Sequence, residues 1–217
     1  MTLGEVKIEA LKLMFANGEN EISVNGSGTS AMTIQQAQND NQFRDYLLKI
    51  TGSINRCFSE LEQKKLVPAK RKVLVSLADE NEYNKEIDLS TLEGLTDFED
   101  VQRVTIRNGM EYDANASYQR EGNVLILSFV RRGDTVALIY YPALARVTST
   151  SDNTAEIGLP DKIASLIPYY CKFDIYREDN STEADKAYQV FLAGLESLKQ
   201  GDSFGYQSSV DRVIFGE

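Results

Sequence analysis

The sequence predicts an α+β protein in which a helical bundle, built from both chain ends, carries an inserted antiparallel β-sandwich or barrel-like domain. Apolar residues recur every three to four positions up to about residue 65 and again after residue 160, as they do on one face of a helix. Between residues 72 and 148 the pattern changes to short runs rich in Val, Ile, Thr and Tyr, which favour strands. Turn-forming residues separate these runs, as in antiparallel sheets.

These changes of pattern divide the 217-residue chain into four segments. Residues 1–68 are predicted to form the N-terminal helices, and residues 69–150 the inserted β domain. The C-terminal helices follow over residues 151–200, and residues 201–217 form an extended tail. A chain of this length can bury a substantial apolar core.

The N-terminal segment is predicted to contain two helices. Thr2 and Glu5 have the spacing of a capping box, in which each side chain binds an otherwise unpaired amide of the first turn. Asn17–Gly18 is a suitable end for this helix. A polar, Gly- and Ser-rich loop is expected over residues 19–41. One apolar stripe then runs from about residue 40 to 65 and predicts a long second helix.

Four apolar runs predict the strands of the β domain: KVLVSL, VQRVTIR, NVLILSF and TVALIYYP. Asn108–Gly109, residues 121–123 and the Arg132–Gly133–Asp134 sequence lie between strand-like runs and predict tight turns. An Arg-Gly-Asp sequence also occurs as an adhesion signal in secreted proteins, but here a hairpin turn accounts for it.

The stretch DIYREDNSTEADKAY, from Asp174 to Tyr188, carries five carboxylates. A calcium-binding loop would need glycine at the position of Ala184. Two carboxylates that could serve as glycosidase acids can be chosen in any acidic sequence, so their presence here does not indicate that activity. A joint between two helices explains the stretch better, with Asn180 as the N-cap and Glu183 in the first turn. Upstream, Pro168 is expected either to kink a helix or to start a new one.

Composition excludes several classes of function. The chain has no histidine, so Ser-His-Asp and Cys-His nucleophilic sites and His-ligated metal sites are ruled out. A net charge of −10 argues against gripping DNA through its phosphates, although an acidic wall lets DNA pass without adhering. No apolar run approaches the ~20 residues of a membrane span. Cys57 and Cys171 are expected to be buried free thiols.

Two surface features are candidates for binding a partner. Packing of the C-terminal tail on itself is not expected to order it, because fixing its backbone costs more free energy than burying its large apolar side chains recovers. The tail is expected to be disordered or held by a partner, for instance by β-strand addition. Its candidate contact residues are Phe204, Tyr206, Val210, Val213, Ile214 and Phe215.

The second feature is a basic cluster at the helix-to-sheet junction. It is expected to be either a solvated hinge or a contact for an acidic partner, and its residues are Lys64, Lys65, Lys70, Arg71 and Lys72.

Two stretches resemble the head-to-tail adaptor (connector, or head-completion) proteins of tailed bacteriophages. They are MTLGEVKIEALKLMFANG at the start and LPDKIASLIPYYCKFDIYREDNSTEADKAYQVFLAGLESLKQ near the end. The shared features are an early Thr-x-Gly-Glu helix start, a Pro-led helix, an acidic break and a final helix bearing Tyr and Phe. The resemblance spans both helical flanks, about half of the chain, and does not extend to the β insertion.

The resemblance implies a non-enzymatic structural protein without cofactor or metal. Copies would form a ring, expected to be dodecameric, whose tails dock into the portal protein and whose β domains face outward or meet the next neck or tail protein. DNA would be a partner only in passage. The protein would assemble in the host bacterial cytoplasm and reside at the head-tail junction of the virion.

Two other classes of function compete with the adaptor. Eleven tyrosines permit a carbohydrate- or surface-binding β-sandwich module of a virion, because tyrosine rings can stack on sugars. An acid-dependent hydrolase is the weaker alternative, since carboxylates alone carry no catalytic information.

Overall fold

A computed structural model describes residues 1–15, 33–74, 81–107 and 114–214, and places their side chains except those of residues 42 and 199–214. The protein is α+β with two antiparallel sheets, which confirms the predicted fold class at that level. The strands of the described ranges close no barrel. The chain forms two compact units: Met1–Glu60 together with Arg146–Glu217, and Leu61–Ala145.

The helices and strands alternate in blocks along the chain. The helices are α1 Leu3–Phe15, α2 Ile34–Asn39, α3 Asn41–Gln63, α4 Asp161–Ala164, α5 Ile167–Tyr176 and α6 Ser181–Ile214. The strands are β1 Lys70–Leu74, β2 Glu82–Asp88, β3 Phe98–Arg107, β4 Ala114–Asn115, β5 Tyr118–Glu121, β6 Val124–Val130 and β7 Thr135–Pro142, with a 3-10 turn at Leu89–Thr91 after β2.

Capping boxes begin both α1 and α2. The Thr2 amide donates to Glu5 Oε2 over 2.8 Å and the Glu5 amide to Thr2 Oγ1 over 3.3 Å, as predicted. Thr33 and Gln36 repeat the arrangement at α2, where a loop was predicted over residues 19–41. That prediction is wrong for α2, and the Thr-x-x-Gln spacing was the signal missed. The expected stop at Asn17–Gly18 lies outside the described residues.

Helix α3 matches the predicted second helix and buries the predicted stripe. Its fully or almost fully buried apolar side chains are Phe43, Leu47, Ile50, Ile54, Phe58 and Leu61. Asn55 on the same helix binds the backbone of Val147, just after the chain re-enters the helical unit at Arg146. Its amide donates to the Val147 carbonyl over 2.7 Å, and its Oδ1 accepts from the Val147 amide over 2.8 Å.

The C-terminal helices follow the predicted joint. Helix α5 has Pro168 in its first turn, so the proline starts a new helix after α4, the second of the two expectations. Asn180 Oδ1 accepts from the Glu183 amide over 3.2 Å and caps α6. The stretch from Asp174 to Tyr188 is therefore a helix-helix joint, as predicted. Helix α5 packs against both α1 and α6.

Helix α6 runs for 34 residues, through Ile214. The prediction of an extended tail over residues 201–217, with Gly201 as the helix stop, is wrong up to Ile214; Phe215 and the last two residues lie outside the described residues. A glycine inside a helix costs about 1 kcal/mol relative to alanine. Extending a helix that already exists avoids the cost of nucleation, and no proline interrupts this stretch.

The inserted unit contains two antiparallel sheets, with strand orders β1-β7-β3-β4 and β2-β6-β5. Both sheets contribute to one apolar core, whose members are Leu74, Leu89, Leu95, Val101, Val104, Leu125, Leu127, Val130, Val136, Leu138 and Tyr140. The four predicted runs correspond to β1, β3, β6 and β7. Strands β2 and β5 were not predicted, because their exposed, charged residues hide the alternation expected of a strand. Strand β4 was not predicted, because its two residues are too few to show an alternation.

The Arg-Gly-Asp turn joins strands of different sheets. Strand β6 pairs with β2 and β5, whereas β7 pairs with β1 and β3, so the predicted hairpin at this turn is wrong. Gly133 has the positive φ of +84° that the turn requires. Asp134 is only 3% exposed, and its Oδ2 accepts from the Arg131 amide over 2.8 Å. A buried aspartate holds the turn together and is not presented as an adhesion signal. The predicted Asn108–Gly109 turn lies outside the described residues.

Candidate functional site

An aromatic cluster fixes α6 against α5. The Tyr170 and Phe191 ring centroids lie 5.2 Å apart in an edge-on arrangement, and the Phe173 and Tyr188 rings stack at 4.3 Å. Phe191 is fully buried. Near the end of this packed region, Gly194 lies so close to the Leu166 side chain that a Cβ added to the glycine would clash with it. Helix α6 is therefore held firmly over its first four turns.

Glu183, one of the acidic residues at the joint, has two lysine partners. Glu183 accepts from Lys186 Nζ over 2.8 Å and from Lys172 Nζ over 3.1 Å. These two hydrogen bonds, together with the charges of both lysines, lower the pKa of Glu183. Across the described part of the chain, no cluster of three or more Asp, Glu, Cys or His side chains has the geometry to hold a metal ion. The geometry of Asp174–Tyr188 thus serves packing and capping.

The terminal helical segment, Gly201–Ile214, contains five of the six predicted tail contacts. The complete α6 helix is about 51 Å long at 1.5 Å per residue, and this segment accounts for about 21 Å. Positions 206 and 213 lie 11 and 18 residues beyond Leu195, close to whole numbers of turns. They therefore share the helical face of Leu195, which is buried. Position 204 lies on the opposite face, so the structure does not bring all the predicted contacts to one side.

The predicted basic cluster lies at the start of the inserted unit. Lys64 and Lys65 follow α3, and Lys70, Arg71 and Lys72 belong to β1. Lys65 Nζ donates to Asp100 Oδ2 over 2.8 Å, and Lys70 Nζ donates to Asp97 Oδ2. The cluster is consequently paired in part with acids of its own unit and is not a purely solvated hinge.

Strand β1 is an edge of its sheet among the described strands. Unpaired edges invite association with other strands, and charged side chains, lysine above all, discourage it. Three of the five cluster cations lie on β1, in the run Lys70–Lys72. Protection of the edge is thus a second structural role for the cluster.

Asp100 is the central acid of this region. Besides Lys65, its Oδ1 accepts from Arg120 Nη1 over 2.8 Å and from the Val101 amide over 2.9 Å. The hydrogen bond from Lys65 is the largest cause that lowers the pKa of Asp100, and the Val101 amide and the charge of Arg120 act in the same direction. Asp100 therefore stays ionised to lower pH in the folded protein than in the unfolded chain.

We expect Asp100→Asn to remove an acid-sensitive contribution to stability. Because the folded pKa is depressed, this contribution is present above the unfolded value of 3.8 and is lost as pH falls through the folded pKa. The side chain is 39% exposed, so the loss at pH 7 should be below about 1 kcal/mol. Urea unfolding at pH 7 and at pH 2.5 measures it, and the difference from the parent chain should shrink at the lower pH.

Glu99→Gln is the matched control for this change, because Glu99 is the exposed neighbouring acid. It should leave the urea midpoint unchanged at both pH values. Equal effects of the two substitutions would show that Asp100 is not specially paired.

Both cysteines are free and buried, as predicted. Burial raises the pKa of the Cys171 thiol, and the charge of Asp174 adds to this, with Arg56 acting in the opposite direction. A thiol kept protonated at neutral pH is a poor nucleophile. Cys171 is therefore part of the apolar core.

A cavity in the helical unit was not foreseen from the sequence. Its volume is about 230 Å³, and the described residues that line it are Lys7, Gln38, Arg44, Leu47, Leu48, Thr51 and Ser149. Lys7 is only 4% exposed, and burial lowers its pKa. The sequence signal for this burial is the helical spacing of Lys7. It lies three, four and seven residues before Ala10, Leu11 and Met14, and therefore on the buried face of α1.

One exposed aromatic group lies on the inserted unit. Tyr83 is 78% exposed, and its ring centroid lies 4.7 Å from that of Phe129, over which the Arg131 guanidinium is placed at 5.8 Å. Tyr83 is the one exposed tyrosine among the described residues. Among its described residues, the inserted unit therefore presents one exposed aromatic ring, Tyr83 with Phe129 beside it, and no broad tyrosine platform.

Comparison with known proteins adds no assignment to this geometry: no family model matches the chain, and no curated protein matches it significantly. No helix of the described ranges is both long and apolar enough to cross a bilayer.

Proposed function

We propose that this protein is a structural head-to-tail adaptor of a tailed bacteriophage. Copies form a ring that docks on the portal protein and extends the DNA channel toward the neck or tail. The observation that carries the proposal is the division of the chain, in which helices of both ends share one unit and residues 61–145 form a separate β unit. The adaptors that the sequence resembles have helical flanks of this kind.

In this proposal the helices of the first unit form a bundle that packs side by side with its copies. Contacts of α5 with both α1 and α6 support a common helical core. Among the described side chains of these helices, two large apolar ones are exposed, Leu48 on α3 and Val190 on α6, and they are candidates for the contact between copies. The ring is expected to contain twelve subunits, as the resemblance implies.

The terminal helical segment is the proposed portal anchor. A helix of about 14 residues is marginally stable in water by itself, so an apolar groove on a partner would stabilise it. Because residues up to Ile214 are helical, the proposed mode is a helix lying in a groove and not the addition of a β-strand. Tyr206, Val210 and Val213, at spacings of four and three, are the proposed anchors on one face.

The remaining features have assigned places in the same proposal. The β unit faces outward or meets the next neck or tail protein. The basic cluster is a secondary contact for an acidic surface, through cations such as Arg71 and Lys72 on β1. The net charge of −10 keeps DNA moving through the channel, because like charge prevents adhesion. The protein is not an enzyme and acts in the virion after assembly in the host cytoplasm.

Electron microscopy of the purified chain, alone and mixed with the portal protein of the same phage, tests the proposal. We expect ring-shaped particles on the portal, with rotational symmetry close to twelvefold. Native mass spectrometry should give the copy number independently. Monomers alone under both conditions would contradict the adaptor function.

A carbohydrate-binding role is the second candidate, and one observation favours it. The exposed Tyr83 ring with Phe129 beside it offers a surface on which a sugar ring can stack. Glycan-array binding that disappears in Tyr83→Ala, together with the absence of rings, would favour this function over the adaptor.

A further inference from the structure

The cavity of the helical unit has an unusual chemistry for so acidic a protein. Its described lining contains two cations, Lys7 and Arg44, and no carboxylate. Within the described ranges, neither cation forms an ion pair. The chain as a whole carries 33 acidic and 23 basic residues, so a cationic cavity without an acid is a local exception to the composition.

Lys7 is the buried cation of this cavity. Its Nζ donates to Asn153 Oδ1 over 3.0 Å, which uses one of three ammonium donors and offers a neutral partner. Burying a charge costs free energy unless an opposite charge or several hydrogen bonds offset it. One amide oxygen offsets this cost only in part, so an anion in the cavity would stabilise the charged lysine.

The other lining residues complete a site for a small polar group. Arg44 is exposed and brings a guanidinium, which can bind two oxygens of one anion at once. The Gln38 amide and the Ser149 hydroxyl add neutral donors. The Thr51 hydroxyl already donates to the Leu47 carbonyl over 2.9 Å, so it adds none. Leucine side chains form the rest of the lining, and an apolar wall strengthens charge interactions.

The size of the cavity limits the ligand. Its volume is about 230 Å³, which is larger than the ~30 Å³ that one water molecule occupies in the liquid. It is below the ~300–1,000 Å³ of sites for drug-sized molecules and cofactors. The space therefore suits one phosphate or carboxylate group with a few waters.

We propose that this cavity, between α1, α2, α3 and the loop at Ser149, binds a single oxyanion group through Lys7 and Arg44. The group comes either from dissolved phosphate or from a carboxylate side chain of a second copy of this chain. The proposal does not depend on the adaptor function, because it concerns one cavity in the helical unit.

Titration of the purified full chain with inorganic phosphate, at constant ionic strength of about 0.15 M where long-range repulsion is screened, tests the first source. Isothermal calorimetry should show one phosphate per chain. We expect Arg44→Gln and Lys7→Met each to weaken binding at least tenfold. Lys49→Gln removes the same charge from an exposed position on α3 that does not line the cavity, and it should leave binding unchanged.

Sedimentation velocity at several protein concentrations tests the second source. If a neighbouring carboxylate fills the cavity, self-association should weaken in Arg44→Gln and on addition of phosphate, but not in Lys49→Gln. The proposal is overturned if Arg44→Gln and Lys49→Gln behave alike in both experiments, whether or not phosphate binds. Arg44 is exposed, so its variant should fold even if Lys7→Met does not.

Discussion

Phe191→Ala is expected to destabilise the helical unit by about 3–5 kcal/mol, because it empties a fully buried site in the α5–α6 packing. The change also removes the edge contact with Tyr170, whose ring centroid lies 5.2 Å away. For a chain of this size the melting temperature should fall by roughly 6–20 °C. Thermal unfolding followed by circular dichroism measures the effect.

Gln189→Ala is the matched control for this prediction. Gln189 lies two residues before Phe191 on the same helix but is exposed, and exposed positions change stability by less than about 0.5 kcal/mol. A loss below 1 kcal/mol for Phe191→Ala would mean that α6 is not packed on α5 as described. Because the proposed ring is built from these helices, a variant that melts early should also fail to form rings.

Local signals account for the parts of the fold that the sequence predicted. The capping residues of α1 and α6, Thr2 with Glu5 and Asn180 with Glu183, act within three residues of each other, so their spacing is visible in the sequence. The stripe of α3 and the apolar runs of β3, β6 and β7 are also local patterns. In each of these elements, the spacing of the apolar residues along the sequence indicates which face is buried.

Long-range pairing accounts for the parts that were missed. Strands β2 and β5 are edges of the second sheet among the described strands, and their charged residues conceal the apolar alternation. The Arg-Gly-Asp turn resembles a hairpin in sequence, but the choice between pairing within a sheet and crossing to another depends on the common core. The predicted end of α6 at Gly201 was wrong. A glycine ends a helix only where further helical residues add no favourable free energy, and extending an existing helix avoids the cost of nucleation.

The candidate sites differ in how far the sequence could predict them. The apolar tail was predicted from its composition, but its helical form was not. The acids that pair with the basic cluster, Asp97 and Asp100, lie about 30 residues away from Lys65 and Lys70 along the chain, and the sequence gives no register for them. Likewise Lys7, Arg44 and Ser149 meet only because α1, α3 and a distant loop fold together.

Ending the chain after Gln200 is expected to abolish attachment to the portal while leaving the fold intact. The deletion removes Gly201–Glu217, which includes about 21 Å of helix. Loss of three large apolar anchors at about 1.5–3 kcal/mol each should weaken binding by more than a thousandfold. The melting temperature should change little, since the buried side chains described on α6 lie no further along than Leu195. Binding to immobilised portal and a thermal melt are the two measurements.

Single substitutions separate loss of the anchor face from loss of helix length. Val213→Asp and Ser208→Asp each add one negative charge, but the two positions lie about 140° apart around the helix. Val213→Asp should weaken portal binding strongly, and Ser208→Asp should weaken it little. Equal losses would exclude a one-sided helical anchor. A deletion that unfolds the protein would instead place the terminal helical segment in its own core, because only buried contacts within the chain would make the melt depend on it.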